Sequence, residues 1–294
     1  MWRQRHRGFE SHALRSDLGK LVLTWAYARL PDVAGSSPTA ARCSRLPTFA
    51  AGRGIYAGWI LKRFPRSTNG KQEGPADRAG FCAERAGSPL AVAASMFRMA
   101  HVFLALGQID QAHHVATSTA QALEPKVTPD AEPEVLSLYG ALHQVLAVAA
   151  ARDNKRGEAH QHLETARNIA GQLGEDRDDY GTEFGLTNVA IHAVNIAVEL
   201  GDAGQAIELG QHVTPANLSP ERQARYWLDL AQAHAMRRQI GEALHALQEA
   251  ERIAPEETRI HYVGRAVTRD LLQLSGLRPR PELRDLAERF GVLP

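Results

Sequence analysis

Gly107-Gln108-Ile109-Asp110-Gln111-Ala112 is the first of four short stretches that decide the fold. The others are Asn154-Lys155-Arg156-Gly157-Glu158-Ala159, Gly201-Asp202-Ala203-Gly204-Gln205-Ala206 and Arg238-Gln239-Ile240-Gly241-Glu242-Ala243. Each is too short to do more than join two antiparallel helices, and each ends on an alanine near the start of the second one. A small residue there lets the second helix approach the first, where a larger side chain would push the pair apart. Recurrence of the same unit sets the fold class, because one helix pair cannot bury its apolar face alone and the next copy covers it. The four alanines are spaced 47, 47 and 37 residues apart. The additional length falls between units, at residues 126–132 and 175–181.

The helix starts are also marked. In Ser88-Pro89 the serine can accept an orphan amide, and the proline has no amide to lose at the first helical position. Val92, Met96, Met99, Val102, Phe103 and Leu106 then recur at helical spacing up to Gly107, a helix stop. A second helix is expected from Ile109 to Leu123, closed by Glu124-Pro125, and Ser219-Pro220 repeats the start signal ahead of the fourth unit. Residues 260–274 and 281–290, with Gly291 as terminator, read as two further helices that cap the array. The expected architecture for residues 81–294 is therefore all-α, with about four helix pairs plus C-terminal capping helices.

At 294 residues and 44% hydrophobic, the chain can build a core. Charge or glycine breaks its long apolar stretches, so no membrane span is expected where roughly 20 apolar residues are needed. Arg3, Arg5, Arg7, Arg15 and Lys20 precede Leu21-Val22-Leu23 and Ala26-Tyr27-Ala28, but this apolar run is shorter than the ~7 residues of a secretory leader. Cys43 and Cys82 have no metal-ligand spacing and make no disulfide framework, so a reducing cytoplasm is the expected location.

The net charge of +1 conceals a division: residues 1–86 hold 15 Lys/Arg against 6 Asp/Glu, and the remainder 19 against 27. Residues 11–74 show no sustained period and are punctuated by Gly52-Arg53-Gly54 and Gly74-Pro75, so residues 1–80 are expected to be a disordered or artefactual basic segment. Trp2, Trp25, Tyr27, Tyr56 and Trp59 among its arginines would suit a nucleic-acid-binding tail. The stronger expectation rests on Arg7-Gly8-Phe9-Glu10-Ser11-His12-Ala13-Leu14-Arg15, which resembles reading frames that start inside transfer-RNA genes. That origin implies a wrong start, a frameshift or a gene remnant.

Residues 224–257 resemble the tetratricopeptide repeat. Trp227, Leu230, Ala231, Ala243, Leu247, Ala250 and Pro255 stand where that family's pattern wants them, while His234 replaces the usual aromatic. The other units match less fully, through Ala100, Phe103, Ala112 and Ala116, then Ala147, Ala159, Leu163 and Ala166, then Ala206. Their spacing also departs from the regular ~34 residues. Taken together, residues 85–292 resemble the C-terminal repeat domain of actinobacterial helix-turn-helix regulators of the XRE type. The stretches that carry this are Pro89-Leu90-Ala91-Val92-Ala93-Ala94-Ser95, Leu136-Ser137-Leu138-Tyr139-Gly140, Gly174-Glu175-Asp176, Thr182-Glu183-Phe184-Gly185, Thr187-Asn188-Val189-Ala190-Ile191-His192 and Ala250-Glu251-Arg252-Ile253-Ala254-Pro255-Glu256.

The resemblance implies a tetratricopeptide-like α-α superhelix that senses a protein, a peptide or a small-molecule effector and mediates association, a homodimer included. In that family an N-terminal helix-turn-helix reads DNA. Such a domain needs about five amphipathic helices in roughly 60 residues, which residues 1–80 do not supply, so no sequence-specific DNA binding is expected of this chain alone. The expected function is a non-enzymatic recognition module of a transcriptional regulator, without a cofactor and without its DNA-reading part. The alternative is a stand-alone tetratricopeptide adaptor that scaffolds other proteins.

Asn188, His192, Asn195 and Glu199 fall at i, i+4, i+7 and i+11, a polar stripe on a helix otherwise made of Val189, Ile191, Val194, Ile196 and Val198. In tetratricopeptide folds the first helix of each pair lines the concave face, so this stripe is expected to line a partner or ligand groove, with Glu183 and Tyr139 joining it. Asn and His there could hydrogen-bond a peptide backbone or a polar ligand; the competing expectation is a solvated helix face. Among the 13 histidines, the pairs His113-His114 and His160, His162 point to different sides of a helix and suggest no metal site. There is no G-x-S-x-G, no cysteine in the repeats, no Walker loop and no dinucleotide fingerprint, so no catalytic residue is expected. Glu175-Asp176-Arg177-Asp178-Asp179 is expected to be a solvated loop rather than a cation site.

Overall fold

The computed structural model describes residues 83, 85, 87–276 and 279–293, and the expectations for residues 1–80 lie outside them. Eleven α-helices are fully described: α1 Pro89–Ala105, α2 Ile109–Leu123, α3 Pro133–Arg152, α4 Arg156–Leu173, α5 Leu186–Glu199, α6 Ala203–Gly210, α7 Pro220–Met236, α8 Ile240–Ile253, α9 Pro255–Ile260, α10 Tyr262–Ser275 and α11 Pro281–Arg289. Among the described residues there is no strand, only an isolated bridge between Arg177 and Phe184. The hydroxyls of Ser88 and Ser219 accept the Ala91 and Arg222 amides at 3.4 and 3.3 Å, as the Ser-Pro signals predict.

The four turns share one backbone conformation. Gly107, Asn154, Gly201 and Arg238, each five residues before the repeated alanine, have φ of 71°, 61°, 87° and 59°. The amide of the following residue reaches back to close the helix, as Gln108 to Phe103, Lys155 to Ala150, Asp202 to Ala197 and Gln239 to His234. Ala112, Ala159, Ala206 and Ala243 are each fully buried, which is why that position stays small. The first helices α1, α3, α5, α7 and α10 pack in series, and each second helix packs on its own partner and on the next first helix.

Helix α5 contributes to two apolar cores. Val189, Ala193 and Ile196 join the core of α1–α4, while Ile191, Val194 and Ala197 join that of α6–α11. This two-sided burial explains its nearly continuous apolar sequence. Helix α3 corrects one expectation: at 20 residues and mean hydropathy 1.3 it is long and apolar enough to cross a membrane, yet 83% of its apolar window is buried inside the fold. Its apolar surface is taken up by α1, α2, α4 and α5.

The C-terminal region also differs from expectation. Pro255 opens the short helix α9 and the chain bends at His261, whose backbone is extended, so the helix expected over residues 260–274 begins at Tyr262. Proline is compatible with a first helical turn, where its missing amide has no partner to lose.

Candidate functional site

The long connection between α4 and α5 governs the site. Phe184 is fully buried, and its ring lies where a Cβ on Gly140 of α3 would be, 2.0 Å from Cζ. Gly185 is equally constrained, since a Cβ there would fall 2.0 Å from Asp176 Oδ1. Asp176 accepts the amide of Thr187, Asp178 accepts that of Glu183, and Asp179 accepts the Ser137 hydroxyl. Arg177 pairs with Asp179 at 2.8 Å and Glu175 at 2.9 Å. The acidic run is thus a self-paired loop fastened to α3 and α5.

That loop encloses the upper end of the α5 stripe. Asn188 is fully buried and donates through Nδ2 to the Glu183 carbonyl at 2.8 Å. Glu183 is buried, and its Oε2 accepts the Ser219 amide at 2.9 Å, fixing the start of α7. His192 is 8% exposed and donates from Nδ1 to the Asn188 carbonyl at 3.0 Å. Burial, reinforced by Arg222, lowers its pKa to about 3, so this imidazole is neutral. Asn188 and Glu183 therefore serve the fold, contrary to the expectation that they line an open groove. The cause is the loop, whose course helical periodicity does not reveal.

The lower end of the stripe remains accessible. Asn195 donates to Asp229 Oδ1 of α7 at 3.0 Å, and Glu199 accepts from Arg152 Nε of α3 at 2.9 Å. Arg152 also donates to the Leu104 carbonyl at the end of α1, so one guanidinium links three first helices. Burial opposes its charge, but Glu199, with Tyr262 and Asp229, outweighs burial and raises its pKa. Burial raises the Asp229 carboxyl to about 6 against the pull of Arg225 and Asn195. Arg225 lies against His261 at the entry to α10, and Tyr262 stacks on His261 at 5.0 Å.

His101 of α1 meets the Phe97 ring edge-on at 4.6 Å. Burial holds its pKa well below the ordinary value, and Arg222 and Arg225 of α7 push in the same direction. A shallow depression lined by Leu244, His245, Gln248, Arg280 and Glu282 is built from α8 and the start of α11.

Tyr139 belongs to the opposite side of α3. Nine residues separate His143 from Arg152, which at about 100° per residue places them on opposed faces. Tyr139 packs on His143 at 4.6 Å, and His143 Nδ1 meets His162 Nδ1 of α4 at 3.1 Å. Burial, then His162, lowers the His143 pKa to about 4. Sequence reasoning weighed the neighbouring histidines and missed this interhelical pair. No group of three or more His, Cys, Asp or Glu among the described residues could hold a metal ion.

Sequence reasoning also missed His101, Arg152, Arg225, Asp229 and His261. A usable signal existed in the turns: counting back from Gly201 and Arg238, His192 and Asp229 both stand nine residues earlier. His101 and Asn195 stand six before Gly107 and Gly201. A scan against protein-family models finds no matching family, and a search of curated proteins finds no match.

Proposed function

We propose that this chain is a tetratricopeptide-like α-α superhelix that serves as the non-enzymatic recognition module of a transcriptional regulator. Its ligand or partner lies along the row of first helices. The observation that carries the proposal is the set of contacts that ties Arg152 to Glu199, Asn195 to Asp229, and Arg225 to His261 and Tyr262 across α3, α5, α7 and the start of α10, beside two apolar cores. Four turns of one geometry support the superhelical repeat.

These groups suit holding a polar ligand: two carboxylates engaged by hydrogen bonds, two guanidiniums and an imidazole, with planar donors at fixed positions. Binding there would bias the packing between successive repeats, and hence any attached or partner domain. The regulator assignment rests on the resemblance of residues 85–292 and carries the cytoplasmic location with it.

The test compares the full chain with an Asn195→Ala/Tyr262→Ala variant in a small-molecule thermal-shift panel and in partner capture. Loss of the wild-type signal with unchanged helicity supports the proposal, and full retention overturns it. Protein capture with no small-molecule response would favour the adaptor.

A further inference from the structure

We propose that His143 of α3 and His162 of α4 form a two-histidine site for a divalent transition metal of the zinc class, on the side of α3 away from Arg152. The site is independent of the recognition proposal.

Histidines adjacent on one helix, or two positions apart, point to different sides of it, whereas one residue on each of two facing helices can converge. The turn at Asn154 folds α4 back along α3, and Ala147, Ala159 and Ala166, all fully buried, let the pair close. Across that contact the Nδ1 atoms of His143 and His162 stand 3.1 Å apart, with ring centroids at 5.2 Å and planes inclined by 49°. Zinc binds imidazole nitrogen at about 2.0–2.1 Å, so an ion equidistant from two nitrogens at this separation subtends an angle of about 100°. That angle falls between a square-planar and a tetrahedral shell, and a turn of the rings aims both lone pairs at the ion without moving the helices.

Two neutral imidazoles that face through Nδ1 share one proton, one ring donating and the other accepting. A metal ion takes that proton's place between the two nitrogens, and the displaced proton passes to Nε2 of its own ring. Tyr139 packs on His143 at 4.6 Å and restrains that ring. Both histidines are half-buried, so the ion and its waters reach them from solvent. No set of three His, Cys, Asp or Glu ligands exists among the described residues, so water fills the remaining positions. Imidazole donors favour zinc, copper and nickel over magnesium and calcium. A bound ion cross-links α3 to α4 and stabilises the folded chain by mass action.

Calorimetric titration of the full chain, carrying no affinity tag, with zinc chloride at pH 7.5 tests the site. Because the sequence holds 13 histidines and two cysteines, the variants carry the decision. Saturable binding is expected, weakened tenfold or more in His143→Gln and in His162→Gln, with no further loss at this site in the double variant. His160→Gln, exposed on the same helix, should bind as wild type. Zinc should raise the Tm of the wild type and of His160→Gln by the same amount, and that of His143→Gln by less. Far-UV dichroism confirms that each variant is folded, and His162→Gln decides alone if His143→Gln is not. Absence of saturable binding, unchanged affinity in either folded single variant of the pair, or equal weakening by His160→Gln overturns the metal site.

Discussion

Replacing Gly140 by alanine should destabilise the protein, whereas the same change made after Phe184→Ala should stabilise it. A Cβ at position 140 would lie 2.0 Å from Phe184 Cζ and 2.5 Å from Cε1 and Cε2. Non-bonded carbons rest at about 3.5–4.0 Å, so the ring must retreat by roughly 1.5 Å. It has no room to do so, being fully buried between α3 and the α4–α5 connection. Overpacking of this kind costs about 1–3 kcal/mol, and the severity of the overlap points to the upper end. Alanine returns up to ~1 kcal/mol through helix propensity, which leaves a net loss of about 2 kcal/mol. For a chain of this size that corresponds to a fall in Tm of roughly 4–8 °C. Phe184→Ala alone should cost ~3–5 kcal/mol; once the ring is gone, Gly140→Ala keeps only its propensity gain of up to ~1 kcal/mol. The coupling between the two sites is then about 3 kcal/mol, measurable in a double-mutant cycle by urea denaturation followed in the far-UV. Additive effects, or a stabilising Gly140→Ala in the wild-type background, would refute the docking of Phe184 on Gly140.

Glu183→Ala leaves the half-buried Ser219 amide without its charged acceptor and should cost about 1–3 kcal/mol in urea denaturation; a loss under ~0.5 kcal/mol would show that α7 starts without this support. Arg238→Gly relieves a side chain held at φ 59° and should stabilise by up to ~1 kcal/mol, and a loss of stability would argue against the shared turn. The His143–His162 pair makes the fold acid-sensitive. The His143 pKa is about 4 when folded and ~6.5 when unfolded, so the unfolded chain takes the proton first and stability falls as pH drops from 6.5 towards 4. The decline from this group is on the order of 2 kcal/mol after allowance for partial solvent exposure, and His143→Gln should flatten it. Asp229 has the opposite sign. Its carboxyl is raised to about 6, so the fold binds its proton more tightly and this destabilising contribution, full above pH 6, fades towards pH 4. Asp229→Asn should therefore raise stability at pH 7.5 by on the order of 1–2 kcal/mol and give no advantage near pH 4; an unchanged gain at both pH values would contradict the raised carboxyl pKa.

Much of the helical order was legible in the sequence because its signals are local. Ser88-Pro89 and Ser219-Pro220 set helix starts through a hydroxyl and a missing amide, both within one turn of chain. Four small residues after four turns marked the close helix pairs, and all four are fully buried. The second turn was recognisable although Asn154 replaces glycine, since asparagine tolerates the left-handed conformation. Pro255 was ambiguous because proline can end one helix or open the next, and only the bend at His261 separates α9 from α10.

The candidate site divides at the same physical boundary. Periodicity determined that Asn188, His192, Asn195 and Glu199 share one face of α5, because side-chain direction within a helix follows from 3.6 residues per turn. It could not determine what covers that face. The α4–α5 loop encloses Asn188, while Asn195 and Glu199 meet Asp229 and Arg152 from neighbouring helices. The sequence alone thus determined the helix pairs, their turns and the phase of the polar stripe, all set by interactions within a few residues. Only the tertiary structure decided which polar groups are buried and which meet across helices, as Arg225 meets His261, because these depend on how separate helices are brought together.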